Sequence, residues 1–216
     1  MTKSSLLLAL GAGVALSHLA APLVAAPVFL EAAWKAAGVL LFAAYALRRG
    51  APLAGLALAL SSAGDVMLAL APPRWIAGMA AFALAHLFYI AAFAGLARRS
   101  AIDRRTAPLA LVALAASSGM AVWLLPDMDA LAAPGLAYQA VITAMVMAAL
   151  ASPAPRLAKA GAVLFMLSDA LIALELYKDV PPPPGAVWLS YVAAQMMLAK
   201  GFAEARDGRA SGISRT

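Results

Sequence analysis

The stretch GAVLFMLSDALIAL, residues 161–174, holds a single charged residue, Asp169, in an otherwise uncharged run. It lies inside a longer apolar segment that predicts a membrane helix. An ionised carboxylate at the middle of such a helix costs about 2.5–3.5 kcal/mol on insertion scales. A second stretch, SSAGDVMLAL at residues 61–70, places Asp65 in the same situation. Because such a cost calls for a partner or a function, we expect the two aspartates to face each other.

The composition is that of a membrane protein, since 65% of the 216 residues are hydrophobic and only 12% are charged. Ordinary soluble domains are about 45–50% apolar and about 25% charged. The absence of cysteine excludes disulfides and thiolate metal sites. With only two histidines, a histidine-rich metal site is not favoured, and we expect neither a metal nor a cofactor. The net charge of +6 is explained more simply by basic loops that set topology than by binding to nucleic acid.

Eight apolar stretches are predicted to cross the membrane, because a spanning helix needs about 20 apolar residues. They cover residues 6–24, 32–47, 53–70, 75–97, 107–125, 131–150, 157–176 and 186–202. The predicted fold is therefore an all-α polytopic bundle of eight transmembrane helices. Residues 1–205 form its single domain, and residues 206–216 form a short polar cytoplasmic tail. Lys3, the first apolar run and Val24-Ala25-Ala26 also fit a signal peptide, but the charge count favours an uncleaved helix.

Basic residues divide unequally between the two sides of an eight-span bundle. One side takes 13 of them: Lys3, Arg48, Arg49, Arg98, Arg99, Arg104, Arg105, Arg156, Lys159, Lys200, Arg206, Arg209 and Arg215. The other side takes 3: Lys35, Arg74 and Lys178. The positive-inside rule therefore predicts an inner-membrane protein with both termini in the cytoplasm.

The two aspartates are predicted to lie at one depth. Each follows the cytoplasmic start of its span by twelve residues, or about 18 Å along a helix. The sequences around them are also alike, with Gly64-Asp65-Val-Met-Leu-Ala-Leu matching Ser168-Asp169-Ala-Leu-Ile-Ala-Leu. This similarity predicts an internal four-plus-four repeat with both halves around one central site.

Several other polar side chains are candidates for the lining of that site. Asp65 shares a helix face with Ser61 and Ser62, and Ser168 is adjacent to Asp169. Helical spacing also pairs the residues His86 with Tyr89, Gln139 with Thr143 beside Tyr138, and Tyr191 with Gln195. A structural alternative is that they form interhelical hydrogen bonds worth under a kcal/mol. Tyr138 and Tyr191 could instead belong to an interfacial aromatic belt.

Lys35, beside Trp34 at the outer start of the second span, has two interpretations. It is either an interfacial lysine that extends to the membrane surface, or a counter-charge for the aspartates or for a lipid phosphate. The chain has no P-loop, no GxSxG elbow, no HExxH and no dinucleotide-binding fingerprint. Enzyme classes that depend on those motifs are not favoured.

These residues resemble the lysoplasmalogenase (YhhN) family of multi-pass membrane proteins. The resemblance rests on Lys35, Gly64-Asp65, His86-x-x-Tyr89, Gly161-Ala-x-Leu-Phe-x-x-Ser168-Asp169 and Tyr191-x-x-Ala-Gln195. The block that ends in Asp169 is the most specific. One departure is Ala36, where the family pattern has proline after the lysine, and this weakens the assignment of a role to Lys35.

The resemblance implies hydrolysis of the vinyl ether (1-alkenyl) bond of lysoplasmalogens. The products are a fatty aldehyde and glycerophosphoethanolamine or glycerophosphocholine. The reaction needs an acid that protonates carbon and a carboxylate that stabilises the cation and directs water, as in glycosidases. Asp65 and Asp169 are the expected catalytic residues, with Asp169 as the acid because its helix face is the more apolar. Supporting roles fall to Lys35, Ser62, His86, Tyr89, Tyr138, Ser168, Tyr191 and Gln195.

Two other classes of function fit the same carboxylates. A small proton-coupled transporter also needs midplane acids and a histidine. Prolines 22, 52, 108, 134 and 153 lie near span ends, however, whereas transporter sites commonly use helices that are broken mid-span. A lipid-binding scaffold with structural aspartates is the third possibility. The expected partner is a lysophospholipid in the membrane, and the sequence does not determine the oligomeric state.

Overall fold

The structure is a computed structural model that describes residues 3–24, 26–98 and 102–213, without the side chains of residue 3 and of residues 208–213. Some residues used in the sequence predictions lie outside the described residues. They are Arg99, Arg215 and the side chains of Lys3 and Arg209 from the charge count, and Ala25 from the possible cleavage site. The described part is helical throughout and contains no strand.

Eight α-helices make up the described fold, and each coincides with a predicted span to within a few residues at most ends. They are α1 Lys3–Ser17, α2 Val28–Arg48, α3 Pro52–Ala69, α4 Trp75–Ala97, α5 Ala107–Leu124, α6 Ala132–Ala151, α7 Arg156–Lys178 and α8 Ala186–Ile213. A 3-10 segment, His18–Leu23, follows α1 and contains Pro22. Seven helical segments are long and apolar enough to cross a membrane, namely α1 together with its 3-10 segment and α2 to α7.

The eighth helix differs from its prediction in two ways. The polar residues Ser190, Gln195 and Lys200 lower its hydropathy, and it is not among the seven helices that meet the length and composition criteria for a span. It also continues to Ile213 and so includes most of the predicted tail. Asp207 on this extension forms an ion pair with Arg49 at the end of α2.

Neighbouring helices pack in chain order within each half of the protein. α1 packs on α2, α2 on α3 and α3 on α4, while α5 packs on α6, α6 on α7 and α7 on α8. The halves meet where α4 packs on α6 and α2 packs on α8. The internal repeat itself is not confirmed and stays a prediction.

Glycines at two helix crossings bring the aspartate-bearing helices close to their neighbours. A Cβ on Gly64 of α3 would lie 2.6 Å from the ring of Phe82 on α4. A Cβ on Gly161 of α7 would lie 3.0 Å from the Ala194 carbonyl oxygen of α8. Small residues at such positions allow close helix packing in a membrane, where burial of apolar surface gives little drive for association.

The two ends of the bundle differ in how they are filled. The end that carries the α1–α2, α3–α4, α5–α6 and α7–α8 connections contains a cavity, and we call it the cavity end. Towards the opposite end the interior is closed by aromatic side chains. Phe42 and Phe93 are fully buried there, and the Phe93 and Phe202 ring centroids are 4.7 Å apart.

Candidate active site

The cavity has a volume of about 310 Å³ and receives side chains from helices α2 to α8. Its lining is mainly apolar and includes Met79, Met120, Met128 and Met166. Methionine is flexible and fills irregular space, so such walls suit an alkyl chain of variable length. Asp65, Asp169 and Lys35 are the ionisable acids and bases among the lining residues, apart from the tyrosines.

Asp65 lies near the cavity end of α3 and is only 3% exposed. The hydroxyl group of Tyr191 on α8 donates a hydrogen bond of 2.6 Å to Asp65 Oδ2. This contact fixes one carboxylate oxygen of Asp65 and places α8 against α3. A hydrogen bond to a charged group contributes about 1.5–3 kcal/mol.

Asp169, on α7, lines the same cavity and is half-buried. The Tyr138 hydroxyl of α6 donates a hydrogen bond to Asp169 Oδ2. His86 Nε2 of α4 lies 3.0 Å from that hydroxyl. When the tyrosine proton is directed at Asp169, His86 must donate from Nε2, which assigns its proton to that nitrogen. His86 Nδ1 is buried without a partner, which agrees with this assignment.

The shared cavity agrees with the prediction that Asp65 and Asp169 face a common space. Each carboxyl group accepts a hydrogen bond from a tyrosine of a different helix. A separation of the two carboxyl groups within about 10 Å, the upper range for two-carboxylate hydrolases, stays a prediction.

Lys35 lines the cavity on α2, and its Nζ atom lies 5.5 Å from the centroid of the Trp188 ring. Among the described residues, no acidic oxygen lies within ion-pair distance of this ammonium group. The structure thus places Lys35 on the cavity wall, and the choice between an interfacial lysine and a counter-charge stays a prediction.

Three predicted lining residues lie behind the cavity wall rather than on it. His86, Tyr89 and Gln195 are completely buried and are not among the lining residues. The Tyr89 hydroxyl donates a 2.9 Å hydrogen bond to Gln195 Oε1, which joins α4 to α8. The Tyr138 side chain and the Phe165 ring, which is 4.8 Å from His86, stand against the histidine. Helical spacing did not predict how deeply each of these side chains would be buried.

The two predicted serines contribute helix-to-helix hydrogen bonds. Ser62 Oγ donates to the Ala36 carbonyl of α2 at 3.0 Å, and Ser168 Oγ donates to the Val187 carbonyl of α8 at 2.9 Å. Ser168 also lines the cavity. Both serines hold the helix that bears the adjacent aspartate, so they support the site through position.

Sequence reasoning missed two features of the lining. Trp188 stands beside Lys35, although its position at the start of α8 resembled an ordinary interfacial tryptophan. Ser117 on α5 accepts a hydrogen bond from Gln139 Nε2 at its carbonyl, at 2.6 Å, and joins the polar pair Gln139 and Thr143. A serine at the middle of an otherwise apolar helix was the available signal. Within the described part of the chain, no cluster of three or more His, Cys, Asp or Glu residues could hold a metal ion.

Comparison with known proteins gives a family for this arrangement. The YhhN family profile matches residues 30–202, which includes Lys35, both aspartates, Tyr138, Tyr191 and Gln195. The chain belongs to the YhhN family. The resemblance inferred from the sequence motifs is therefore confirmed.

Curated relatives carry the name lysoplasmalogenase. The protein of that name from Mycobacterium bovis is 35% identical over 159 residues, which cover 70% of this chain and 60% of the relative. Its counterpart from Mycobacterium tuberculosis gives the same values. Lysoplasmalogenase TMEM86B of Homo sapiens is 33% identical over 146 residues, or 66% of this chain and 59% of the human protein. The match thus spans about 60% of the length of these relatives. No solved structure matches the chain.

Proposed function

We propose that this YhhN-family protein is a membrane hydrolase that cleaves the vinyl ether bond of lysoplasmalogens. The observation that carries the proposal is the pair of aspartates that line one apolar cavity, each held by a tyrosine hydroxyl. The names of the curated relatives support the same substrate class. The products are a fatty aldehyde and the glycerophosphoethanolamine or glycerophosphocholine head group.

The first chemical step is protonation of the vinyl-ether carbon that lies β to the oxygen. Asp169 donates this proton, and the adjacent carbon becomes an oxocarbenium ion. Asp65 stays ionised, stabilises the cation and accepts a proton from the water molecule that attacks it. One carboxyl group thus acts as the acid and the other as the ionised carboxylate, as in glycosidases.

The second step is collapse of the hemiacetal that the water attack produces. Asp65 returns its newly acquired proton to the glycerol oxygen, and Asp169 accepts the proton of the hemiacetal hydroxyl. The carbon–oxygen bond to glycerol then breaks, which releases the aldehyde and the alcohol. Both aspartates regain their starting protonation states, so one water molecule is consumed per turnover and no cofactor is needed.

The tyrosines and His86 orient the two carboxyl groups. Tyr191 and Tyr138 each occupy one carboxylate oxygen, so the other oxygen of each aspartate can turn to the substrate. His86 acts through Tyr138 and does not reach the cavity. Preorganised hydrogen bonds of this kind avoid reorganisation during the reaction.

Helix α8 completes an eight-span topology in this proposal. Tyr191 and Gln195, which lower its hydropathy, are buried against other helices rather than exposed to lipid. α8 also packs along α7 after a short connection, as an antiparallel return span would. With eight spans, the positive-inside rule predicts that both termini lie in the cytoplasm. The cavity end of the bundle then faces the non-cytoplasmic side of the inner membrane. A C-terminal reporter that is active only outside the cytoplasm would disprove this orientation.

The two halves of the bundle support a shared site. α4 packs on α6 and α2 packs on α8. A four-plus-four repeat relates these two contacts, because α2 then corresponds to α6 and α4 corresponds to α8. Each half supplies one aspartate, on α3 and on α7. This pairing supports the proposed repeat and the central position of the reaction.

Hydrolysis explains the structure better than proton-coupled transport. The cavity occupies one end of the bundle, and the interior beyond it is filled by Tyr89, Phe93 and Phe202. A single-chain lipid needs only one opening to place its ether bond at the aspartates. A transported solute would also need a path through this aromatic packing.

The test is direct detection of the product. Purified protein in detergent is incubated with a lysoplasmalogen or with an acyl lysolipid of the same head group and chain length, and aldehyde is measured by mass spectrometry. We expect aldehyde from the lysoplasmalogen only, in proportion to the amount of protein. Release of fatty acid from the acyl lysolipid without aldehyde from the lysoplasmalogen would contradict the proposed reaction.

A further inference from the structure

We propose that Lys35 binds the phosphodiester group of the substrate and so makes the cavity selective for phosphorylated single-chain lipids. The inference rests on the proposed function and adds a binding site that lies apart from the two aspartates. Its basis is the position of Lys35 in the cavity wall, where it is the one lysine or arginine side chain and forms no ion pair with an acidic group among the described residues.

The first argument is charge. The cavity lining contains two aspartates and one lysine as its ionisable acids and bases other than tyrosine. Without Lys35, a phosphodiester anion that entered the cavity would meet two aspartates and no lysine or arginine side chain in the lining. Two other basic side chains at the same end of the bundle, Arg74 and Lys178, are not among the lining residues of the cavity, and Lys178 forms an ion pair with Asp127. Lys35 Nζ forms no ion pair with an acidic group among the described residues. Its N–H donors can therefore bind a phosphate, for which lysine ammonium is a common ligand.

The second argument is depth. Lys35 Nζ lies over the Trp188 ring, and Trp188 is one helical turn before Tyr191, which binds Asp65. Three residues of helix correspond to about 4.5 Å, so the lysine contact lies about one turn nearer to the cavity end than the aspartate contact. A helical side chain also leans towards the N-terminus of its helix, which for α2 is the cavity end.

The third argument is the chemistry of the substrate. In a lysoplasmalogen the three glycerol carbons and one further oxygen separate the vinyl-ether oxygen from phosphorus. A lipid whose ether bond lies at Asp65 and Asp169 therefore presents its phosphate towards the cavity end, in the layer of Lys35 and Trp188. The alkenyl chain then extends along the methionine-rich wall of the cavity.

The experiment compares substrates that differ only in phosphate. Wild type, Lys35→Gln and Lys35→Arg are assayed with a lysoplasmalogen and with the matching 1-alkenylglycerol. We expect Lys35→Gln to lower kcat/KM for the phosphorylated substrate by about tenfold or more, mainly through KM, because a hydrogen bond to a charged group is lost. The same variant should change kcat/KM for 1-alkenylglycerol less than about twofold, and Lys35→Arg should restore most of the loss. Lys178→Gln is the matched control and should leave both substrates unchanged.

A second measurement makes the inference independent of turnover. Saturated 1-O-alkyl lysophosphocholine has no vinyl ether and cannot be hydrolysed, so its Kd is compared with that of 1-O-alkylglycerol for wild type and Lys35→Gln. Binding that depends on Lys35 only for the phosphorylated ligand would support the phosphate site, even if no aldehyde were ever formed. Inorganic phosphate is added as a competitor: weak or no competition indicates that the lipid head group is bound, and strong competition would contradict the selectivity for lipid.

Equal losses for phosphorylated and unphosphorylated ligands in Lys35→Gln would overturn the inference, since they would assign Lys35 to folding or to the aspartates. An unchanged Kd and KM for both ligands would overturn it as well and would leave Lys35 as an interfacial lysine. Failure of the wild type to release aldehyde, with Lys35-dependent lysophosphocholine binding intact, would instead contradict the proposed reaction alone.

Discussion

Tyr191 on the eighth helix donates a 2.6 Å hydrogen bond to Asp65 on the third helix, although 126 positions of sequence separate the two residues. The contact lies at the wall of the cavity that Asp169 also lines. It links the least hydrophobic helix of the bundle to one of the two proposed catalytic groups. The polar residues that lower the hydropathy of α8 therefore have a role inside the protein.

Replacement of Tyr191 by phenylalanine should reduce both activity and stability. Asp65 would lose its hydroxyl donor while staying buried, and leaving such a group unpaired costs about 1–3 kcal/mol. We expect aldehyde release to fall by about tenfold or more and the melting temperature in detergent to drop. Tyr45→Phe is the control, since Tyr45 is buried towards the opposite end and lies outside the cavity. Equal effects of the two substitutions would contradict the role assigned to Tyr191.

Replacement of His86 by alanine should leave measurable turnover. His86 contacts Asp169 only through the Tyr138 hydroxyl and does not line the cavity. We expect a smaller loss of kcat than for any substitution of an aspartate, with KM nearly unchanged. Complete loss of aldehyde release by a folded His86→Ala protein would show that the histidine takes part in the chemistry directly.

Gly64→Ala should destabilise the bundle. The new Cβ would lie 2.6 Å from the Phe82 ring, so either the ring or α4 must shift. Overpacking of this kind typically costs about 1–3 kcal/mol. Gly95→Ala, on the same pair of helices, is the matched control because nothing lies within 4 Å of its Cβ position. Thermal unfolding in detergent should separate the two variants, and an equally stable Gly64→Ala would show that this crossing is looser than described.

The loop between α4 and α5 should become less stable in acid. Asp103 accepts a 2.6 Å hydrogen bond from Lys159 Nζ, and this bond is the main reason that the pKa of Asp103 is lowered to about 2. Because the pKa of Asp103 is lower in the folded state, ionised Asp103 contributes to the free energy of unfolding. This contribution is complete above the unfolded-state pKa of about 3.9 and is lost as the pH falls towards 2. The melting temperature of the wild type should therefore fall more steeply between pH 4 and pH 2 than that of Asp103→Asn. Parallel curves would contradict the assignment.

The sequence predicted the parts of this structure that follow from local composition. Runs of apolar residues gave all eight helices, and the cost of a buried charge identified Asp65 and Asp169 as the unusual residues. Helical spacing from the start of each span then placed both aspartates at a similar depth. The YhhN family profile covers residues 30–202, a range that includes both aspartates, and their role stays a prediction.

The partners of the aspartates could not be predicted, because they depend on how each helix is rotated. α8 presents Tyr191 to Asp65 and Gln195 to Tyr89 only because it packs closely against α7 at Gly161. That rotation is a property of the packed bundle and not of the α8 sequence. The same reasoning explains why His86 was expected on the cavity wall but lies behind it.

The most direct measurement of the two-aspartate mechanism is aldehyde release by Asp65→Asn and Asp169→Asn, each alongside its melting temperature. Asparagine keeps the shape and hydrogen bonding of aspartate but cannot ionise or supply an acidic proton. General acid–base catalysis typically contributes about 10²–10⁴-fold, so we expect each variant to lose at least that much turnover. Asp65→Asn should melt at or above the wild-type temperature, because removal of its buried charge relieves its desolvation. Asp169→Asn should melt close to the wild type, because it replaces a neutral acid by a neutral amide. If both variants fold normally and release aldehyde at nearly the wild-type rate, the reaction takes place elsewhere and the two-aspartate mechanism is wrong.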